Sequence, residues 1–283
     1  MDAAARAGPP PLDDDAYEGV ARLVYEHTGI RLGPGKEYFV TGRLAGLLRE
    51  LGCARWSELP LRVREGPREV KEALIHAVVT PETRFFRDGA PFRVLRSQIV
   101  PGLLGLGRGR VRVWSAGCST GQEPYSIVMA LWDLVEAGVL DLEVVATDIS
   151  LAALSRAREG VFEPWELRRG LDAEALARYF EPAGRGRARV RPGIRRRVRF
   201  ERRNLVDDPP PEGRFHVTFY RNVGIYFDRR VKAAVYRKIL RSLVPGGFLF
   251  LGGTETLFPA VPGLEPVYLG RALAYRRAGE APA

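Results

Sequence analysis

Apolar positions in the first 78 residues recur with helical spacing. Tyr17, Val20, Val24 and His27 share one face of a segment that opens on Asp13 to Asp15 and closes at Gly29. An acidic N-cap and a glycine C-cap therefore bracket a first helix. Pro34 suits the first turn of a second helix that runs to about Leu51, and two shorter helices are expected over 56–65 and 67–79. After residue 105 the spacing changes. Short β-branched or aromatic runs at 111–114, 143–147, 214–220 and 248–251 alternate with helical stretches near 123–136, 150–159 and 228–243. One or two closing strands are expected over 266–276. Such alternation builds βαβ units around a mostly parallel sheet. Right-handed crossovers gather the loops that follow each strand on one edge, which is where such sheets bind ligands. The expected fold class is α/β, with a flexible tail over 1–12, an all-helical domain over 13–78, a linker over 79–90 and a doubly wound domain over 91–283.

Composition narrows the function classes. Hydrophobic residues are 46% and charged residues 28% of 283, which excludes wholesale disorder. No apolar run approaches the length of a membrane span, and the stretch MDAAARAGPPPLDDD is not expected to act as a secretory signal. Two cysteines, Cys53 and Cys118, make neither a disulfide framework nor a metal cluster, so a cytoplasmic setting is the default and no metal is expected. The net charge of +10 is unevenly placed. Residues 184–203 carry ten arginines against one glutamate. They read as a basic hairpin, 185–191 and 195–203, split by Pro192 and Gly193. A docking surface for an acidic partner, a solvated loop and a nucleic-acid contact compete for this segment. Phe200 is its only aromatic, which disfavours a single-strand stacking platform. The chain has only two asparagines, Asn204 and Asn222, and both ask for an explanation.

The strand ends carry the chemistry. The first leads into SAGCSTGQEPYS, where Gly117 and Gly121 permit close backbone approach at a helix start. The pattern is neither a dinucleotide fingerprint nor a P-loop. Glu123, in the first helical turn, repels a diphosphate and welcomes a cationic ligand; alternatively it only complements the helix dipole. The second strand ends at Asp148, a typical acceptor for ribose hydroxyls or, alternatively, a helix cap that Ser150 can supply instead. A nucleoside bearing positive charge fits this pair, and S-adenosylmethionine is such a ligand.

Taken together, SAGCSTGQEPYSIVMAL, VVTPETRFFRD, ATDIS, the pair at 204 and 205, FYRNVGIYFD, the front segment YEHTGIRL and GGTETL resemble the CheR-type chemotaxis-receptor glutamate methyltransferases over roughly residues 15–277. The resemblance implies a helical substrate-docking domain, then a class I, Rossmann-like methyltransferase domain with a small β-subdomain insertion at about 182–203. It implies S-adenosylmethionine as cofactor and glutamates on receptor cytoplasmic helices as substrate. By the motifs, Pro81, Thr83 and Arg87 fall at the cofactor's methionine end, with Pro81 replacing the family's asparagine. Gly117 lies in the cofactor loop, Glu123 near the cofactor's amino group and Asp148 at the ribose. Asn204 and Leu205 flank the adenine, while Asn222 and Val223 lie beside the reacting centre. Arg87 and Tyr226 are the expected catalytic residues. Tyr220 and Gly224 stand where the family commonly has a cysteine and a large apolar residue. The partner implied is the cytoplasmic domain of a methyl-accepting chemotaxis receptor, without membrane insertion and with nucleic acid disfavoured. The rival readings are an RNA or small-molecule methyltransferase, and a cofactor-binding signalling module without catalysis.

Overall fold

The computed structural model describes residues 9–279. They form two compact units. One runs up to Thr80 and takes in Tyr226–Asp228; the other comprises Pro81–Ile225 and the chain from Arg229.

The first unit contains helices Asp14–Thr28, Glu37–Glu50, Leu59–Glu65 and Arg68–Val78. The Asp13 carboxylate accepts the Ala16 N–H at 2.8 Å, and Gly29 closes the first helix at φ 72°, so both caps follow the sequence signals. The second helix begins at Glu37, not at Pro34, because Gly35 takes φ 81° and holds the chain in a turn. Val20, Leu23, Leu44, Leu48, Trp56 and Leu74 form the core of this unit, each burial worth about 1.5–3 kcal/mol. The Trp56 indole N–H donates to the Pro10 carbonyl at 2.9 Å, so the chain is already tied in at residue 10. The rest of the expected tail, residues 1–8, lies outside the described residues. Segment Tyr226–Asp228 is held by an Ile30–Phe227 bridge, by the Arg31 N–H donating to the Tyr226 carbonyl at 3.1 Å, and by the Tyr25 hydroxyl donating to Asp228 at 2.9 Å.

The second unit contains strands β1 (Arg110–Ala116), β2 (Asp141–Asp148), β3 (Val161–Phe162), β4 (Phe180–Pro182), β5 (Ala188–Val190), β6 (Val198–Arg202), β7 (Phe215–Phe219), β8 (Leu243–Phe250), β9 (Leu264–Leu269) and β10 (Ala272–Arg277). The main sheet runs β6-β2-β1-β7-β8-β10-β9, and a three-stranded sheet runs β3-β5-β4. Pairs from β6 through β8 are parallel, whereas β10 is antiparallel to both neighbours. Val113 faces Val144 on one side and Val217 on the other, which fixes the register at the sheet centre. The main-sheet strands alternate with helices that include Gln122–Ala130, Leu151–Glu159 and Arg229–Ser242. The helix expected over 123–136 is instead two, because Leu131 leaves helical geometry at φ −112°. Strand order reverses between β1 and β7, and a crevice opens outside the strand ends at such a switch point.

The basic hairpin is not what the chain forms. Ala188–Val190 is the middle strand of the small sheet, Pro192–Arg195 is a helical turn, and Val198–Arg202 is a parallel edge strand of the main sheet. The small sheet therefore draws its strands from between 161 and 190. The two arginine groups also differ in company. Arg197 meets Asp141 at 3.2 Å, Arg199 bonds Glu201, and Arg203 meets Glu201 at 2.9 Å. Arg185 and Arg189 make no ion pair among the described residues. No helix among those residues is long and apolar enough to cross a membrane.

Candidate active site

Four adjacent strands deliver their C-terminal ends to one edge. The loop after β1 is bent by Gly117 at φ 86° and Gly121 at φ 98°. A side chain at Gly117 would collide with Val223, so the glycine is needed for contact as well as for conformation. The N–H groups of Gly117 and Cys118 both donate to the Thr147 carbonyl, at 2.8 and 2.9 Å, which fastens this loop to the end of β2.

Asp148 sits there with both carboxylate oxygens engaged. One accepts the Ser119 N–H at 2.8 Å, the other the Ser150 N–H at 2.9 Å. Burial pushes its pKa up, and those backbone donors pull it back. Ser150 caps the Leu151–Glu159 helix with its own hydroxyl. Asp148 is thereby released from capping, and its remaining lone pairs are available to a diol. The Ser119 hydroxyl beside it is buried with no partner among the described residues.

Glu123 stands in the first turn of Gln122–Ala130 with its side chain 13% exposed. The Ser115 hydroxyl donates to one oxygen at 2.7 Å, and the Arg221 guanidinium donates to the other at 3.3 Å. Burial raises its pKa, and Arg221 is the largest opposing influence. This carboxyl group is more than a dipole complement: Ser115 and Arg221 fix both of its oxygens.

After β7 come Tyr220, Arg221, Asn222 and Val223. Asn222 takes φ 59°, a left-handed conformation that asparagine tolerates. Its N–H donates to Glu255 at 2.5 Å, and the same carboxylate oxygen accepts the Gly252 N–H at 2.9 Å. Its side-chain oxygen is buried with no partner among the described residues. Asn222 forms one wall of a pocket of about 150 Å³ shared with Thr83, Arg84, Arg87 and Asp88. Arg87 is half-buried there and donates to the Glu82 carbonyl at 3.3 Å.

Asn204 lies just past β6, beside the end of β2, where the Arg203 N–H donates to the Asp148 carbonyl at 2.9 Å. Its amide serves its own turn, accepting the Val206 N–H at 3.0 Å and donating to Asp207 at 2.8 Å. Asn204 and Leu205 line a second small pocket with Trp114 and Lys238. Pro81 is exposed at the start of this unit. Tyr226, 37% exposed, belongs to the segment packed with the helical unit.

Gly117, Glu123, Asp148, Asn204, Asn222 and Val223 thus come together on the edge, and Thr83 and Arg87 share a pocket with Asn222. Arg221 and Glu255 were missed by the sequence reading. An arginine just after an apolar strand, as in FYRNV, was a signal: it can be buried there only if carboxylates meet it. Glu255 lies in the GGTETL segment that supports the resemblance, but nothing local in that segment points to its bond with the Asn222 N–H.

The residues present fit S-adenosylmethionine. Two fixed carboxylates suit its ammonium and its ribose, and two orphaned polar atoms, on Ser119 and Asn222, await partners. The family model described as the all-alpha domain of CheR methyltransferase matches residues 15–78, and that described as its SAM binding domain matches 81–268. Curated relatives agree. Chemotaxis protein methyltransferase Cher2 of Pseudomonas putida is 42% identical over 81% of this chain and 86% of its own length. Chemotaxis protein methyltransferase 1 of Pseudomonas aeruginosa is 41% identical over 83% and 88%. The chemotaxis protein methyltransferase of Vibrio parahaemolyticus is 37% identical over 94% and 98%.

Proposed function

The chain belongs to the CheR methyltransferase family, and from that premise we propose that it methylates glutamate side chains on the cytoplasmic helices of a chemoreceptor, in the cytoplasm. The observation that carries this reading is the shared edge: the Glu123 and Asp148 carboxyl groups fixed by hydrogen bonds, with Asn222 and the Arg87 pocket on the same edge. When bound, S-adenosylmethionine supplies a methyl group activated by a sulfonium. The protein's own residues orient and exclude water. Glu123 receives the ammonium, Asp148 the ribose diol, and Asn204 with Leu205 flanks the base. Thr83 and Arg87 lie at the methionine end.

A glutamate acceptor is already ionised at neutral pH, its ordinary pKa being about 4.3, so no general base is required. Alignment of two bound partners supplies roughly 7–11 kcal/mol of barrier reduction. Arg87, with its charged fork in the pocket, is assigned the acceptor carboxylate. Tyr226 is assigned the substrate-side aromatic role from its motif alone. Incubation with labelled S-adenosylmethionine and receptor cytoplasmic fragments from the same organism should give a base-labile methyl ester on glutamate, and Arg87→Ala should abolish it with the fold intact. A base-resistant methyl on RNA would replace this reading with the nucleic-acid one. Tight S-adenosylhomocysteine binding with no transfer to any fragment would replace it with a signalling module.

A further inference from the structure

Arg221 is a buried cation with three separate duties. Its side chain is 1% exposed. One terminal nitrogen donates to Glu123 at 3.3 Å; the other donates to the Arg87 carbonyl at 2.8 Å and to Asp88 at 2.7 Å. The guanidinium also lies 5.7 Å from the Phe92 ring centroid. A single side chain therefore joins the end of β7, the first turn of Gln122–Ala130 and the loop that carries Thr83 and Arg87. A lysine offers a point charge in place of this planar fork.

We propose that Arg221 is a positioning residue for the methyl-transfer site, acting through Glu123 and the Arg87 backbone to hold an anion where the cofactor's amino-acid end binds. The inference rests on the cofactor assignment above but not on the identity of the methyl acceptor. Glu123 is faced by Arg221 from the end of β7, by Arg87 from the loop, by the Ser115 hydroxyl from β1, and by Cys118 from the glycine loop, while Asp88 meets the other end of Arg221 and Asp148 faces Cys118. The Cys118 thiol is pushed well above its ordinary range by burial and the two carboxylates, so it stays neutral near pH 7. Burial raises Glu123, and Arg221 is the chief influence that counters it. Removing Arg221 should move the titration of Glu123 upward, and amino-end affinity should then fall as pH falls.

The test compares two ligands without any methyl acceptor, so its failure is separable from failure of the receptor assignment. S-adenosylhomocysteine carries the amino-acid end; 5′-methylthioadenosine keeps the nucleoside and sulfur but lacks it. Both affinities are measured by calorimetry from pH 6 to pH 8 in wild type, Arg221→Gln, Arg221→Lys and Glu123→Gln. Arg221→Gln should weaken S-adenosylhomocysteine on the order of 10- to 100-fold, more at pH 6 than at pH 8, and leave methylthioadenosine within about two-fold. Arg221→Lys, the variant that retains the charge if the glutamine variant does not fold, should show a smaller loss with the same ligand selectivity. In Glu123→Gln the ratio of the two affinities should lose its pH dependence. Equal loss of both ligands in either Arg221 variant, or a ratio in Arg221→Gln with the pH profile of wild type, would overturn the proposal and leave Arg221 a purely structural ion pair.

Discussion

Tyr220 and Gly224, which by the resemblance stand where the family commonly has a cysteine and a large apolar residue, adjoin each other in space and are expected to compensate each other. The test is a double-mutant cycle with Tyr220→Cys and Gly224→Leu. Tyr220 is fully buried, packs edge-on against Tyr236 with ring centroids 5.8 Å apart, and leaves its hydroxyl without a partner among the described residues. A Cβ on Gly224 would already stand 3.3 Å from that hydroxyl, 3.4 Å from the ring and 3.1 Å from Glu255. A leucine has three further carbons and no space for them, so Gly224→Leu alone should cost about 1–3 kcal/mol by overpacking. A unit of this size loses roughly 2–4 °C in Tm per kcal/mol. Tyr220→Cys alone should cost about 3–5 kcal/mol for the lost aromatic, offset by about 1–3 kcal/mol as the orphaned hydroxyl disappears. In the double variant the leucine fills the space the ring vacated, and the costs should fall short of their sum by about 1–3 kcal/mol. Urea melts with unchanged m-values measure all four corners. The same collision presses on Glu255, which holds the Asn222 N–H, so Gly224→Leu should also weaken S-adenosylhomocysteine and the double variant should recover part of that loss. Additivity within about 0.5 kcal/mol would show that the two positions are independent and refute the pairing.

Asp148→Asn replaces a charged acceptor with an amide, and S-adenosylhomocysteine affinity should drop by about 1.5–3 kcal/mol, roughly 10- to 100-fold, in calorimetry; an unchanged affinity would remove Asp148 from the ribose. His216 accepts the Arg112 N–H at 3.0 Å, and burial, followed by Arg108, depresses its pKa. Its contribution is therefore present above about pH 6.5 and lost as pH falls through the folded value, at up to about 1.4 kcal/mol per pH unit; His216→Gln should flatten this part of the stability profile. Replacing Arg185, Arg187 and Arg189 with serine should leave the melting temperature nearly unchanged and reduce the salt dependence of receptor-fragment binding. Replacing Arg197, Arg199 and Arg203 should instead lower the melting temperature, because these arginines are paired along β6.

What was legible in the sequence was whatever local chemistry decides. Asp13 and Gly29 announce the first helix because caps act within four residues. The strand runs and the residues just beyond them, Gly117, Asp148 and Asn222, could be placed on one edge because crossover handedness is nearly invariant. What depended on distant partners was not legible. Arginine repeats carry no register, so nothing in residues 198–202 disclosed that Val198 pairs with Val144. Arg221 finds Glu123 98 residues away and Asp88 133 away.

Three exceptions to the chain's own composition, Lys238, Asn204 and Asn222, mark where geometry overrules bias. The sequence uses arginine almost wherever a cation will do, yet position 238 is lysine. Lys238 donates to the carbonyls of Leu205, Val206 and Asp208 at 3.1, 2.5 and 2.9 Å. Three carbonyls converging on one point match an ammonium with three donors, whereas a guanidinium spreads its donors across a plane. Burial lowers the Lys238 pKa, a cost the three acceptors offset. The two asparagines follow the same logic. Asn204 must accept from Val206 and donate to Asp207 at once, which neither a carboxylate nor a guanidinium can do. Asn222 must tolerate a positive φ while offering an amide to the crevice. These three residues belong to a loop that follows a strand at the ligand edge or to the helix Arg229–Ser242, whereas Lys36 and Lys71 lie in the helical unit. At Lys238, Asn204 and Asn222 the residue that breaks the bias therefore sits where one side-chain geometry alone will serve.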